Sequence, residues 1–131
     1  MEISLQLQGS RVERLLLNKD IELESSKSNV KSLSVFTKFP NSDSESRDFL
    51  VTFEIVLSLS QGYLLEIEHS SIFTSNVNLD KKFQESNFPK VNAPAIAYPF
   101  LRTFIANFLL NSGYEPIILP SLNFTKFKKV T

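Results

Sequence analysis

Few side chains in this sequence could do catalytic or metal chemistry. His69 is the single histidine and cysteine is absent, so neither a thiol nucleophile nor a histidine–cysteine metal cluster can be built. A serine triad would need His69, whose strand parity places it on the predicted core face. A core histidine with satisfied hydrogen bonds is the simpler interpretation. We therefore expect no enzymatic activity, no metal and no cofactor.

The remaining candidate groups are carboxylates and lysines. Glu54, Glu66 and Glu68 could in principle act as paired carboxylates, but a flat, solvated strand face lacks the cleft that acid–base catalysis needs. The three glycines are isolated, so no glycine-rich loop can bind a phosphate. Residues 126–129 form a basic tail too short to predict nucleic-acid binding. The pattern indicates a binding protein.

Composition and hydropathy predict one neutral domain over residues 1–131. Lysine plus arginine equals aspartate plus glutamate at 14 each, so no net charge favours a nucleic acid or an anionic membrane. The most apolar segment contains Arg102 and two prolines, so we expect no membrane insertion. The N-terminus alternates apolar and polar residues instead of resembling a signal peptide. With the absence of cysteine, this favours a cytoplasmic location.

Alternating apolar residues predict strands in the first half of the chain. Residues 3–8 alternate, Gly9-Ser10 is expected to break that strand, and a second run continues over 15–24. Lys19 interrupts the second run and predicts a bulge or a strand end. A further strand is predicted over 30–39.

The clearest strand pair flanks a turn near residues 60–62, and its register determines the turn type. A two-residue loop would pair Leu57 with Glu66 and place a carboxylate among core residues. A three-residue loop pairs Leu57 with Leu65 instead, and puts Gly62 at the left-handed position that this loop type favours. We predict the three-residue loop.

That register also predicts the composition of the opposite face of the pair. Glu54 lies opposite Glu68, which is mildly unfavourable for folding. The apolar residues on this face are Leu50, Val56, Leu64 and Ile72. An acidic face with apolar residues is a candidate docking surface. An ordinary solvated sheet face is the alternative, and the sequence leaves both open.

After a loop over 75–91, in which a short helical turn is possible, the sequence predicts a strongly apolar helix from Ala93 to Leu110. Pro99 predicts either a kink or the start of the regular helix, and Gly113 predicts its end. The polar positions form one line with a spacing of four: Thr103, Asn107 and Asn111. A helix that covers one sheet shows a polar back. This helix therefore needs a second cover, either another copy of the protein or a bound partner.

The last third of the chain resembles the SecB family of protein-export chaperones. Ala93-Pro94 followed by the segment Pro99 to Arg102 resembles the family's proline-containing helix with its Pro-Tyr-Ala-Arg motif. The segment Gly113 to Phe124 resembles the family's glycine, proline, leucine-run and Asn-Phe signature. The order and spacing of these pieces make the resemblance fairly specific.

Two upstream segments extend the resemblance over almost the whole chain. Asn18 to Ile21, with Glu24, resembles the family's first strand. Leu64 to Ile67, followed by Ser71 to Phe73, resembles a later strand that ends in Gly-Ile-Phe. The resemblance implies an α+β fold, with a four-stranded antiparallel sheet and one long helix packed on one face.

The resemblance also implies a homotetramer, built as a dimer of dimers with the long helices between sheets. We expect Phe100, Phe104 and Phe108 at that oligomer interface.

The activity that the resemblance implies is to hold unfolded polypeptides without ATP and to deliver them to the SecA motor. By position, the residues that match the SecA contact surface are Asp20, Glu24, Leu64 and Glu66. Candidate client-binding residues, each equally explained as ordinary core, are Phe36, Phe39, Tyr114 and Phe124.

Two departures from the SecB pattern keep alternatives open. SecB proteins continue into a second helix and an acidic tail, whereas seven residues of basic character follow Phe124 here, so we expect the tail's contact with SecA to be absent. The crossover at 24–29 is also short, which predicts a shallower or more open client groove. Trimmed relatives of this kind resemble the SecB-like chaperones of toxin–antitoxin systems, which protect an antitoxin. A scaffold or adaptor that recognises one folded partner is the other alternative.

Overall fold

The computed structural model describes residues 2–20, 28–40 and 46–127. The strands are β1 (Leu5–Lys19), β2 (Asn29–Lys38), β3 (Asp48–Leu59) and β4 (Tyr63–Ser75). They form one antiparallel sheet in the order β1-β4-β3-β2. A short helix α1 (Lys81–Gln84) and a long helix α2 (Ala93–Asn111) follow. The predicted α+β fold with a four-stranded antiparallel sheet and one long helix is confirmed.

The β3–β4 hairpin has the predicted register. Leu57 lies opposite Leu65, and Glu54 lies opposite Glu68. Gly62 has φ of 83°, in the left-handed region, and its amide donates to the carbonyl of Leu59 at 3.0 Å. The three-residue loop is therefore confirmed. Glycine suits its last position because it enters this conformation without the steric penalty of a side chain.

The expected break at Gly9-Ser10 is wrong, because β1 runs continuously from Leu5 to Lys19. The strand absorbs the irregularity through register shifts between Leu7 and Gly9 and, further along, between Val12 and Arg14. Such bulges add a residue to one strand without ending the pairing, and they are common in edge strands such as β1. Of the two alternatives predicted at Lys19, a bulge or a strand end, the structure shows the strand end. The continuation proposed over 21–24 lies outside the described residues.

The segment between β4 and α2 contains the short helical turn that the sequence allowed, followed by a π-helical turn that extends α2 at its N-terminal end. At the start of α1 the Asp80 carboxylate accepts a hydrogen bond from the amide of Phe83 at 2.8 Å, a normal N-cap. A five-residue π-helical turn, Phe88–Asn92, then leads directly into α2. Helix α2 continues through Pro99 without interruption. The sequence predicted either a kink or the start of the regular helix at this proline, and the second of these is wrong.

The end of α2 is a Schellman motif centred on Gly113, which has φ of 84°. The amide of Tyr114 donates to the carbonyl of Leu109 at 2.9 Å, and that of Gly113 donates to the carbonyl of Leu110 at 3.3 Å. These bonds satisfy carbonyls that a helix end leaves free. The predicted stop at Gly113 is confirmed.

Helix α2 packs one face on the sheet. Its buried positions recur mostly every four residues, as in the row Ala93, Ala97, Leu101, Ile105 and Leu109. The sheet contributes its odd-numbered β3 and β4 positions, including the fully buried Phe53, Ile55, Leu57 and Leu65. By length and composition alone, the helical segment Phe88–Asn111 could cross a membrane. Packing on the sheet accounts for the apolar residues of one face of this helix only, since 39% of its most apolar window is buried.

Candidate functional site

An open groove of about 410 Å³ lies where β2, the turn before α2 and the chain after α2 come together. Its apolar lining consists of Val35, Phe36, Phe39, Pro89, Pro94, Phe124 and Phe127. Rigid rings and prolines lose little conformational freedom when another chain packs against them. The groove is therefore suited to contact with apolar side chains from a partner.

Three contacts hold the walls of this groove together. The Thr37 hydroxyl donates to the carbonyl of Pro89 at 3.2 Å, which ties β2 to the π-helical turn. The Tyr98 hydroxyl donates to the carbonyl of Pro120 at 2.6 Å, which ties α2 to the extended chain beyond it. The ring of Phe124 lies 5.7 Å from that of Tyr98. The chain after α2 is thus fixed as one wall of the groove.

The structure brings three of the four candidate client-binding residues to this groove. Phe36 is half-buried, and the Lys38 ammonium lies 5.1 Å from its ring centroid. Phe39 is half-buried beside Phe49, whereas Phe124 is only 8% exposed and belongs largely to the core. Their role in binding clients stays a prediction.

Tyr114, the fourth candidate, lies elsewhere. Its ring packs against Tyr63 at 5.6 Å, next to the β3–β4 turn and outside the groove lining. Sequence reasoning missed Phe127, whose ring lies 5.5 Å from that of Phe124. The spacing of three between these phenylalanines, across the turn at 124–126, was the signal that could have found it.

Three of the four predicted SecA-docking residues lie at or beside one corner of the opposite sheet face. Leu64 and Glu66 are half-exposed on β4, opposite Asn18 and Leu16 of β1. The amide of Asp20 donates to the carbonyl of Gly62 at 2.8 Å, so this residue borders the same corner. Glu24 lies outside the described residues.

That face has mixed charge and is not simply acidic, which corrects the sequence-based description. The Arg14 guanidinium lies 4.0 Å from the Glu66 carboxylate, and the Lys38 ammonium lies 3.9 Å from the Glu68 carboxylate. The edge strands β1 and β2 supply these cations, and strand alternation alone could not reveal which side chains the pairing brings opposite. Exposed pairs of this kind contribute only about 0–1 kcal/mol to stability.

His69 lies in the core, as predicted, but the expectation of satisfied hydrogen bonds is wrong. It is 4% exposed, and its Nδ1 has no hydrogen-bond partner in the described part of the chain. Its ring lies 6.0 Å from that of Phe104 on α2. Burial lowers the pKa of the imidazole, because an apolar environment disfavours its charged form. Among the described residues, no cluster of three or more histidine, aspartate or glutamate side chains could hold a metal.

The side of α2 that faces away from the sheet keeps large apolar residues exposed. Ile96 is 42% exposed and Phe100 is 49% exposed, and Phe104 and Phe108 continue this row as half-buried rings 6.0 Å apart. Leu110, also on this side, is 68% exposed. The single chain therefore leaves uncovered the helix surface for which a second cover was predicted.

The sheet order, with one long helix across one face, defines a SecB-like fold. It is similar to the solved structure of a SecB-like chaperone from Mycobacterium tuberculosis in complex with a ChAD peptide from the HigA1 antitoxin. That likeness has a TM-score of 0.67 at 11% identity and covers 91% of this chain and 90% of the other. A protein of unknown function from Streptococcus agalactiae gives a TM-score of 0.63 at 12% identity. That likeness covers 92% of this chain and 100% of the other.

The chain itself belongs to the SecB family, because residues 19–129 match the family described as preprotein translocase subunit SecB. A protein-export protein SecB from Ehrlichia ruminantium (strain Gardel) is 27% identical over 110 residues, which is 73% of this chain and 63% of that protein. A second protein-export protein SecB, from Anaplasma phagocytophilum (strain HZ), is 24% identical over 78 residues. These residues are 57% of this chain and 48% of that protein. The chain thus spans less than two thirds of the length of these relatives.

Proposed function

We propose that this protein is an ATP-independent holdase chaperone that binds apolar segments of unfolded or aggregation-prone polypeptides. The observation that carries the proposal is the convergence of Phe36, Phe39 and Phe124 on one open groove. Burying apolar surface stabilises a complex by roughly 25 cal/mol per Å² without requiring one particular sequence. An aromatic groove of this kind therefore suits clients of many sequences.

The proposed working form is a cytoplasmic homotetramer, a dimer of dimers. Its support is the uncovered side of α2, where Phe100 is 49% exposed beside the half-buried Phe104 and Phe108. Burial of this row against a second copy removes apolar surface from water and gives the helix the second cover that its composition requires. Assembly through α2 leaves the groove beside the helix available for clients.

A test of the holdase function measures light scattering from a denatured test protein diluted into buffer. The wild-type protein is expected to suppress aggregation at near-stoichiometric ratios without ATP. Phe36→Ala should weaken suppression, whereas Leu16→Ala, which truncates a similarly placed apolar residue on β1 that is 38% exposed, should not. Full aggregation at equimolar wild-type protein would contradict the proposal and favour an adaptor for one folded partner.

A chaperone dedicated to one client is the second candidate. Its support is the structural neighbour from Mycobacterium tuberculosis, whose structure is a complex with an antitoxin peptide. The distinguishing experiment identifies by mass spectrometry the polypeptides that co-purify with the tagged protein. A single dominant small polypeptide would favour the dedicated chaperone, and a broad set would favour the general holdase.

For a general holdase, we further propose delivery to the SecA motor through the corner formed by Asp20, Leu64 and Glu66, together with Glu24. The support is positional: Leu64 and Glu66 lie near one end of β4, and the amide of Asp20 bonds to the carbonyl of Gly62 at that same end. Mixed apolar and charged corners are suited to transient docking, since charges set orientation while apolar contact adds affinity.

A further inference from the structure

The segments that wall the groove carry positive charge only. Residues 29–39, 88–94 and 119–127 contain no aspartate or glutamate. Their four cations are Lys31, Lys38, Lys90 and Lys126. The chain as a whole has 14 positive and 14 negative side chains, so this segregation is a local property of the groove.

Two of these cations lie at the groove or beside a residue that lines it, and Lys31 and Lys126 belong to the segments that wall it. Lys90 is exposed and lines the groove. Lys38 lies over the ring of Phe36 at 5.1 Å, although its ammonium is also 3.9 Å from the Glu68 carboxylate. In the described part of the chain, Lys31, Lys90 and Lys126 are exposed and have no carboxylate partner.

The only lining residue from α1 does not change the charge of the groove. Gln84 is uncharged, and Glu85, which follows it, is exposed and not part of the lining. A carboxylate on a bound polypeptide would thus meet the ammonium of Lys90 beside an apolar floor, with further lysines on the segments around it. An ammonium on the same polypeptide would meet like charges and no nearby partner in the lining.

We propose that the groove selects apolar or aromatic polypeptide segments that are flanked by aspartate or glutamate. This selectivity rests on the proposed holdase function and names its substrate class. The aromatic lining supplies sequence-tolerant affinity, and the lysines discriminate between clients by the charge beside the apolar segment. Because the lysines are exposed, the preference weakens as salt screens their charge.

The test compares two fluorescent peptides that share one phenylalanine- and leucine-rich core, one with glutamate flanks and one with lysine flanks. Fluorescence anisotropy with the full chain should show the acidic peptide binding about 5- to 10-fold more tightly in low salt, since each exposed ion pair contributes a factor of a few. The difference should shrink at high ionic strength.

Charge reversal at the groove supplies the second arm. The double variant Lys90→Glu with Lys126→Glu should reverse the preference, whereas Lys19→Glu at the end of β1 should leave it intact. All three side chains are exposed, so circular dichroism should confirm unchanged folding. Equal affinity for the two peptides, or tighter binding of the basic one, would overturn the charge selectivity alone. Failure of both peptides to bind would instead contradict the proposed function.

Discussion

The hydroxyl of Tyr98 donates a hydrogen bond of 2.6 Å to the carbonyl oxygen of Pro120. Tyr98 lies on the buried side of α2, where burial raises the pKa of its phenol and keeps the hydroxyl available as a donor. Pro120 belongs to the extended chain that leads to Phe124. This one bond therefore connects the helix to the wall of the groove.

Removing that hydroxyl should loosen the wall. We expect Tyr98→Phe to lower the free energy of unfolding by about 1 kcal/mol, the usual net contribution of such a bond. Urea denaturation followed by circular dichroism measures the change. Tyr114→Phe is the control, because the Tyr114 hydroxyl has no hydrogen-bond partner in the described part of the chain. Equal effects of the two substitutions would show that the Tyr98 bond does not stabilise the fold.

Stability should depend on the protonation of His69. Its pKa in the folded protein lies below the ordinary value of 6.5 because of burial. Below about pH 6.5 the unfolded chain therefore binds a proton that the folded chain does not, and stability falls as pH falls. The slope for one group is at most about 1.4 kcal/mol per pH unit. Urea denaturation at pH 7.5 and 5.5 should show this loss in the wild type but a much smaller one in His69→Gln.

The exposed side of α2 should control assembly. Phe100→Asp places a carboxylate in the proposed interface and should shift the tetramer to smaller species, as measured by light scattering at micromolar concentration. Ile118→Asp is the control, since Ile118 is 87% exposed on the extended chain after the helix. A wild-type protein that is monomeric under these conditions would contradict the proposed tetramer.

The corner around Leu64 should control SecA binding. Replacing Leu64 by alanine and Glu66 by lysine together should weaken binding to SecA by at least about 10-fold, because both apolar contact and charge are altered. Surface plasmon resonance measures the affinity. Glu54→Lys tests the same sheet face away from the corner and should have little effect. Unchanged binding by the double variant would remove the corner from the interface.

Two glycines with different backbone conformations give a test of the helix end. An added Cβ would meet no atom within 4 Å at either Gly9 or Gly113, but only Gly113 has a positive φ. Gly113→Ala should lower the free energy of unfolding by about 1 kcal/mol, the cost of a left-handed alanine. Gly9→Ala should be neutral or slightly stabilising. A loss of equal size at Gly9 would show that backbone conformation is not the cause.

Patterns with strong local signals were predictable from the sequence. The hairpin register could be predicted because the alternative register would pair Glu66 with the core residue Leu57. The turn type could be predicted from the glycine at residue 62, and the observed pairing confirms both. Gly113 marked the end of α2 for the same conformational reason. The break expected at Gly9-Ser10 was wrong, because an edge strand can keep its pairing through bulges, which local propensity does not reveal.

The candidate site was only partly predictable. Aromatic residues at 36, 39 and 124 could be nominated from sequence, but only folding brings β2 beside the chain after α2 and excludes Tyr114 from the groove. The mixed charge of the outer sheet face was also hidden, because cross-strand partners come from strands far apart in the chain.

By itself, the sequence determined the periodicity of each element, the turns that require glycine and the surplus of apolar surface on α2. These are local properties, fixed by side-chain type and spacing. The tertiary structure decided which side of α2 is covered and that Lys90 joins aromatic residues in the lining of one groove. It also decided that the imidazole of His69 is buried with no hydrogen-bond partner for Nδ1 among the described residues. Each of these depends on contacts between residues distant in sequence, which only the packing of the whole chain creates.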